Sequence, residues 1–145
     1  MLLSVVVPAY NESENILKII QELKENISLC NEITGWEIIV IDDHSSDNTY
    51  EVIKQLKNER IKAVRLSRRS GSHTALRVGL KFSKGEVVFC ISADSQDDPS
   101  VLQQMLTKIK EGKQIVWAVR NNRNEPFLQK LFAKTISTAR YGRPS

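Results

Sequence analysis

The chain alternates short apolar runs with longer stretches of helical periodicity. The apolar runs predict five strands, at residues 3–7, 37–41, 61–66, 86–91 and 114–119. Apolar residues three or four positions apart predict helices over residues 11–27, 47–57, 74–83, 98–111 and 127–139. Because the strand runs are continuously apolar, both faces of the sheet are expected to be covered by helices. The pattern therefore predicts an α/β fold with a mostly parallel sheet of about five strands and helices on both faces.

Length and composition restrict the class of protein. The chain has 145 residues, of which 41% are apolar and 26% charged, as expected for one globular domain. We assign residues 1–139 to this domain and residues 140–145 to a polar tail. The two cysteines lie far apart in the sequence, which favours a reducing compartment, the cytoplasm. No apolar run approaches 18 residues, so we expect no membrane-spanning helix.

The net charge of +4 is a mild excess of 21 basic over 17 acidic residues. It fits a phosphate-bearing ligand or an anionic membrane surface. It does not require nucleic acid, and we expect no nucleic-acid partner.

The candidate chemistry lies in the segments that follow the strands, because ligands of open parallel sheets bind outside the carboxyl ends of the strands. Acidic residues follow the second and fourth strands: Asp42, Asp43, Asp47, Asp94, Asp97 and Asp98. Arginines follow the third and fifth: Arg68, Arg69, Arg120 and Arg123. Carboxylates suit Mg²⁺ or Mn²⁺, and arginines suit phosphate. Together they predict a site for a nucleotide diphosphate that carries a leaving group.

Each of these residues also has a purely structural explanation. Asp42 and Asp43 are compatible with turn positions, and Asp47 and Asp98 with helix caps. The arginine pair after the third strand is compatible with a solvated loop. No GxGxxG, GxxxxGK[ST] or GxSxG motif is present, so Rossmann dehydrogenases, P-loop enzymes and α/β-hydrolases are disfavoured.

Three segments together resemble one family. They are VVVPAYNE at residues 5–12, VIDDHSSDNT at residues 40–49 and SADSQDDP at residues 92–99. Their order and spacing are similar to those of family 2 glycosyltransferases of the GT-A fold. The nearest branch is the group of dolichyl-phosphate mannose synthases and bactoprenol-phosphate glucosyltransferases. The resemblance extends from the first strand to about residue 134.

The resemblance implies roles for individual residues. Those expected to bind the nucleotide-sugar are Pro8, Tyr10, Glu12, Ile41, Asp43, Ala93 and Arg120. Those expected to hold Mg²⁺ or Mn²⁺ are Ser92, Asp94 and Gln96. The metal and Arg120 would stabilise the charge that develops on the departing nucleotide diphosphate. No residue is assigned as catalytic base, because the family carries it in a segment beyond this chain.

Three departures from the family pattern affect the activity expected. The metal loop of the family usually reads Asp-x-Asp, whereas Ser92 stands at the first position here, and Gln129 stands where a basic residue is common. The chain also lacks the C-terminal half of the family's sheet and its acceptor-binding segment. The resemblance implies transfer of a sugar from a UDP- or GDP-sugar to a polyprenyl phosphate or glycan, in cell-envelope polysaccharide synthesis. The alternative is a truncated or degenerate module that binds the nucleotide-sugar without turnover.

The resemblance and the chain's length also suggest partners. Besides the donor and acceptor, these are a second copy of the chain or another chain that completes the fold. Basic residues flank the apolar positions of the last predicted helix at Lys130, Lys134, Arg140 and Arg143. This pattern is compatible with packing on the domain or with peripheral contact at the inner face of an anionic membrane.

Overall fold

A computed structural model describes residues 1–119 of the chain. Its strands are β1 (Leu2–Ala9), β2 (Gly35–Asp42), β3 (Ile61–Arg65) and β4 (Val87–Cys90). Its helices are α1 (Ile16–Ser28), α2 (Thr49–Lys54), α3 (Ser72–Phe82) and α4 (Val101–Lys110). Strands and helices alternate throughout, as the periodicity predicted.

The four strands form one parallel sheet in the order β3-β2-β1-β4. β1 pairs with β2 over eight residues, from Leu2 opposite Gly35 to Ala9 opposite Asp42. On its other side β1 pairs with the shorter β4. The chain order reverses at β1, so the crevice beside this strand's carboxyl end is where an open α/β sheet binds its ligand.

Helices cover both faces of the sheet, but unequally. Alternate residues of β1 and β2 point to opposite faces, as the pleat requires. The face that includes Val5 and Ile38 carries α1, α2 and α4 over the larger core cluster, whereas the face that includes Val6 and Ile39 carries α3. This two-sided burial confirms the predicted α/β architecture.

A glycine allows α3 to lie close to the sheet. A Cβ atom at Gly79 would stand 2.2 Å from Cγ1 of Val6, so no side chain fits at this position without displacement. Gly79 is buried on the sheet side of α3. The packing therefore fixes which face of α3 points outward.

The predicted strand at residues 114–119 is wrong. This segment is neither helix nor strand, and its alternate residues Ile115, Trp117 and Val119 are 75%, 82% and 77% exposed. A strand requires ladder hydrogen bonds to a neighbour, and no strand within residues 1–119 pairs with this segment. The sheet of the described chain thus has four strands rather than five. Arg120, the last predicted helix and the tail lie outside the described residues.

Candidate functional site

A cavity of about 280 Å³ opens at the carboxyl ends of the strands, beside the reversal point at β1. Its walls come from the segments that follow all four strands. The lining residues are Pro8, Ala9, Tyr10, Glu12, Asp43, Arg69, Gly71, Ser72, Ser92 and Asp94. The cavity is therefore a product of the sheet topology rather than of one local motif.

Six of the residues singled out from the sequence line this cavity: Pro8, Tyr10, Glu12, Asp43, Ser92 and Asp94. Ile41 and Ala93 are 0% and 1% exposed and belong to the cores beneath it. Gln96 is exposed on the loop after β4 and is absent from the lining. Three segments separated by more than 30 residues in sequence thus meet around one cavity.

The loops after β1 and β2, residues 10–13 and 43–49, are clamped to each other. Asn11 is the first clamp, since its side-chain Oδ1 accepts hydrogen bonds from the backbone N–H groups of Ser46 and Asp47, at 2.9 and 3.3 Å. The backbone N–H of Asn11 in turn donates to Oγ of Ser45 at 2.9 Å. Asn11 holds a positive φ of 53°, a conformation that asparagine tolerates better than most residues. We call these two segments the β1–β2 loops.

Asp47 forms the second clamp between the β1–β2 loops. Its carboxylate accepts from the N–H of Ser13 at 3.1 Å and from the N–H and hydroxyl of Thr49. The Thr49 hydroxyl oxygen accepts from the N–H of Glu12 at 2.9 Å. Burial alone would raise the pKa of Asp47, but the hydrogen bonds from Thr49 and Ser13 outweigh it and lower that pKa to about 2. The expected helix cap at Asp47 is wrong, because Asn48 is the N-cap of α2, and the Asp47 carboxylate instead joins the two loops.

Asp43 connects the β1–β2 loops to the start of α3. Its side chain is 4% exposed, and its two oxygens accept from the N–H groups of Ser70 and Gly71 at 2.7 and 2.8 Å. Gly71 has a φ of 91°, which a residue with a Cβ rarely adopts. Asp43 thus fixes the segment from which Gly71 and Ser72 reach the cavity.

Arg69 adds a cation to the cavity wall. Its guanidinium carbon lies 3.9 Å from the centre of the Tyr10 ring, in a cation–π contact. Sequence reasoning named Arg69 only as a candidate for neutralising phosphate charge and did not single out Gly71 or Ser72. The signal that locates all three is their position directly after the third strand.

The loop after β4, residues 92–98, forms the remaining wall of the site. Its backbone is anchored at Ala93, whose N–H donates to the carbonyl of Pro8 at 3.3 Å. Two bonds within the loop run from Gln96 N–H to Oδ1 of Asp94 at 3.1 Å and from Asp94 N–H to Oγ of Ser92 at 3.5 Å. Ser95 has a positive φ of 58°. We call this segment the β4 loop.

The β4 loop also determines what metal chemistry the cavity can support. Within residues 1–119, no three His, Cys, Asp or Glu side chains cluster as a ready-made metal site. The cavity nevertheless offers the exposed Asp94 carboxylate beside the Ser92 hydroxyl. Mg²⁺ commonly takes one or two carboxylates and completes its shell with water and substrate phosphate. The oxygen ligands present fit a metal bound together with a diphosphate.

A second cavity, of about 460 Å³, lies between α2 and β3 and is lined in part by Tyr50, Lys54 and Lys57. It is larger, but it holds none of the residues predicted from the three motifs. It also lies away from the reversal point at β1. We therefore take the smaller cavity as the candidate functional site.

Sequence comparison identifies the family. The profile of "Glycosyl transferase family 2" matches residues 4–143, almost the whole chain. The chain belongs to glycosyl transferase family 2. An undecaprenyl-phosphate 4-deoxy-4-formamido-L-arabinose transferase of Pectobacterium carotovorum is 35% identical over 138 residues. That match covers 92% of this chain and 41% of the relative, so the chain spans less than half of the relative's length.

Solved structures agree with the family and with the GT-A class of fold. Staphylococcus aureus TarS 1–349 in complex with UDP-GlcNAc has a TM-score of 0.58 and 26% identity, covering 86% of this chain and 39% of TarS. The mannosyltransferase PcManGT from Pyrobaculum calidifontis, in complex with GDP-Man and Mn²⁺, has a TM-score of 0.55 and 26% identity. This second match covers 63% of our chain and 27% of PcManGT.

Within residues 1–119, no helix has the length and apolar character needed to cross a bilayer.

Proposed function

We propose that this family 2 chain forms the donor-binding part of a glycosyltransferase that moves a sugar from a nucleotide-diphospho-sugar to a polyprenyl phosphate. The observation that carries the proposal is the convergence of residues from the first, second and fourth strand ends around one cavity. The relatives named as undecaprenyl-phosphate transferases support the choice of acceptor. The neighbours bound to UDP-GlcNAc and GDP-Man support the choice of donor.

In this proposal the β1–β2 loops hold the nucleoside. The Tyr10 ring and the Arg69 guanidinium stacked on it form one flat platform against which the base can stack. Asp43 keeps a lone pair on each oxygen beyond its two backbone hydrogen bonds, so it can accept from an N–H of the base. Glu12, at the cavity wall, is placed to accept from ribose hydroxyls.

The β4 loop would hold the diphosphate end of the donor. Asp94 and Ser92, with Gln96 on the same loop, would bind Mg²⁺ or Mn²⁺, which when bound neutralises charge on the nucleotide diphosphate as it departs. The serine hydroxyl is a weaker ligand than a second carboxylate. We therefore expect the metal to bind chiefly in the presence of the donor. Arg120, outside the described residues, is proposed to face the same diphosphate.

Titration calorimetry tests the proposal with UDP-glucose and GDP-mannose, each with and without Mn²⁺. We expect one of the two donors to bind, and to bind more tightly with Mn²⁺. The variant Tyr10→Ala should weaken binding by about tenfold or more, since base stacking contributes about 1–3 kcal/mol. Tyr50→Ala is the matched control, because Tyr50 also carries stacked cations but lies by the other cavity. If neither donor binds to the folded chain, or if both variants weaken binding equally, the proposal fails.

The second candidate is a binding module without turnover, which the serine at position 92 favours. Formation of the glycolipid, with release of the nucleotide diphosphate, distinguishes the two functions. We would incubate the chain with the bound donor, Mn²⁺ and undecaprenyl phosphate, and measure nucleotide diphosphate release. Acceptor-dependent release supports the transferase, whereas binding without release supports the module.

A further inference from the structure

The segment from residue 60 to residue 85 contains no acidic residue. It carries eight cations: Arg60, Lys62, Arg65, Arg68, Arg69, Arg77, Lys81 and Lys84. Some have partners on the sheet, since Lys62 pairs with Glu37 at 2.6 Å and Arg65 lies 3.6 Å from Asp42. The later cations, from residue 68 onward, lie around α3 and are exposed. Positive charge therefore accumulates on one side of the molecule.

Helical geometry places several of these cations on one outward face. Ala75 and Gly79 direct the opposite face of α3 onto the sheet. Arg77 and Lys81 lie one turn apart on the outward face, with the half-exposed Leu80 between them and Lys84 just after the helix end. We call Arg77, Leu80, Lys81 and Lys84 the α3 basic face. At the other end of α3, Arg68 and Arg69 continue the charge to the rim of the donor cavity.

The helices on the opposite side of the sheet lack this charge imbalance. α1 carries Lys18 and Lys24 together with Glu22 and Glu25, so its net charge is zero. In α4, Lys108 pairs with Glu111 at 2.9 Å and Lys110 lies 3.9 Å from Glu32. Among residues 1–119, the accumulation is therefore found on the side that carries α3.

We propose that the α3 basic face binds the surface of an anionic phospholipid membrane. We assign this face to a lipid surface rather than to nucleic acid because the inference rests on the proposed function, in which the acceptor phosphate is embedded in a membrane. Cations near an anionic membrane surface each strengthen binding by about fivefold at moderate ionic strength. Contact along α3 would bring the cavity rim, at the start of the same helix, to the level of the lipid phosphates.

Vesicle co-sedimentation of the whole chain tests this inference. One set of vesicles is phosphatidylcholine, and the other is an equimolar mixture of phosphatidylcholine and phosphatidylglycerol. We expect binding to the mixed vesicles only, and loss of binding as salt is raised. The double variant Arg77→Gln/Lys81→Gln should weaken binding by about thirtyfold. The control Lys108→Gln/Lys110→Gln removes the same net charge from α4 and should weaken it by less than about threefold.

Three results would overturn the inference: no binding to the mixed vesicles, equal loss in both double variants, or preferential capture of the chain by duplex DNA added as competitor. All four substituted residues are exposed, and thermal unfolding of each variant confirms that it is folded. UDP-glucose and GDP-mannose titrations of the same samples separate the two proposals. Vesicle binding without donor binding would contradict the proposed function but not the membrane face, and the reverse would contradict only the membrane face.

Discussion

The two sides of the candidate site are built differently. The β1–β2 loops are bound to each other through Asn11, Asp47 and Thr49, and to the start of α3 through Asp43. In the β4 loop, Ala93 donates a backbone bond to Pro8, and the Asp94 carboxylate that this loop brings to the cavity is exposed. The side proposed for the nucleoside is thus preorganised by its hydrogen bonds, whereas the side proposed for the metal and diphosphate presents an exposed carboxylate. Preorganised contacts cost less conformational entropy on binding, so affinity should come mainly from the nucleoside.

The largest effect is expected at Asp43, because this residue both stabilises the loops and lines the cavity. Asp43→Ala removes the acceptor of two partly buried, charge-assisted N–H bonds, which should lower the free energy of unfolding by about 3 kcal/mol. It should also weaken donor binding by at least about tenfold, since the cavity loses both its acceptor and the fixed start of α3. Chemical denaturation and calorimetry measure the two effects. An Asp43→Ala protein that binds donor normally would mean that the cavity is not the donor site.

A smaller effect is expected at Asp47, which clamps the loops but does not line the cavity. The pKa of Asp47 is lowered from 3.8 to about 2. Its contribution to the free energy of unfolding is therefore complete at pH values above 3.8 and is lost as the pH falls from 3.8 to about 2. We expect Asp47→Asn to lower the free energy of unfolding at neutral pH by about 1–2 kcal/mol. The free energy of unfolding of this variant should also fall less steeply as the pH is lowered into the acid range. Denaturation over the acid range checks this. If the free energy of unfolding falls equally steeply with acid in both proteins, the hydrogen bonds at position 47 do not depend on the charge of the carboxylate.

A substitution in the β4 loop should change the metal dependence of donor binding with little change in the free energy of unfolding. Asp94 is exposed, so Asp94→Ala should alter the free energy of unfolding by less than about 0.5 kcal/mol. It should abolish the Mn²⁺-dependent gain in donor affinity while leaving metal-free binding intact. Calorimetry with and without Mn²⁺ measures this gain. A metal effect that survives in Asp94→Ala would place the ion elsewhere.

The smallest effect is a gain at Ser92. Ser92→Asp adds a second carboxylate beside Asp94, which should raise Mn²⁺ affinity by less than about tenfold because like charges repel until the metal binds. Ser95→Asp, on the same exposed loop but absent from the cavity wall, is the control. An equal gain in both variants would indicate only general attraction of the cation.

Much of this arrangement follows from the sequence alone. Continuous apolar runs predict parallel strands, and parallel strands bring the segments after them to one edge, so Tyr10, Asp43 and Asp94 could be placed together. The family resemblance, confirmed by the profile match, rests on those same segments. The position of Arg69 after the third strand predicts a residue that faces phosphate, and the structure adds that Arg69 stacks on Tyr10.

The failures have a common physical cause, which is that long-range pairing is not encoded locally. The local sequence around Asp47 predicts a helix cap, yet Asn48 is the N-cap of α2, and the Asp47 carboxylate binds the N–H of Ser13, 34 residues away. Residues 114–119 have the composition of a strand but find no strand to pair with within the described chain. Local propensity indicates what a segment can form, and the available partner determines what it does form.

The central claim is that the nucleoside binds at the β1–β2 loops in the absence of the metal. Chemical-shift mapping of the backbone amides during a metal-free UDP titration tests it most directly. We predict saturable shifts at Tyr10, Asp43 and Gly71, with small changes in the β4 loop until Mn²⁺ is added. Shifts that first appear in the β4 loop, or that cluster around Tyr50 and Lys57 at the other cavity, would contradict the claim.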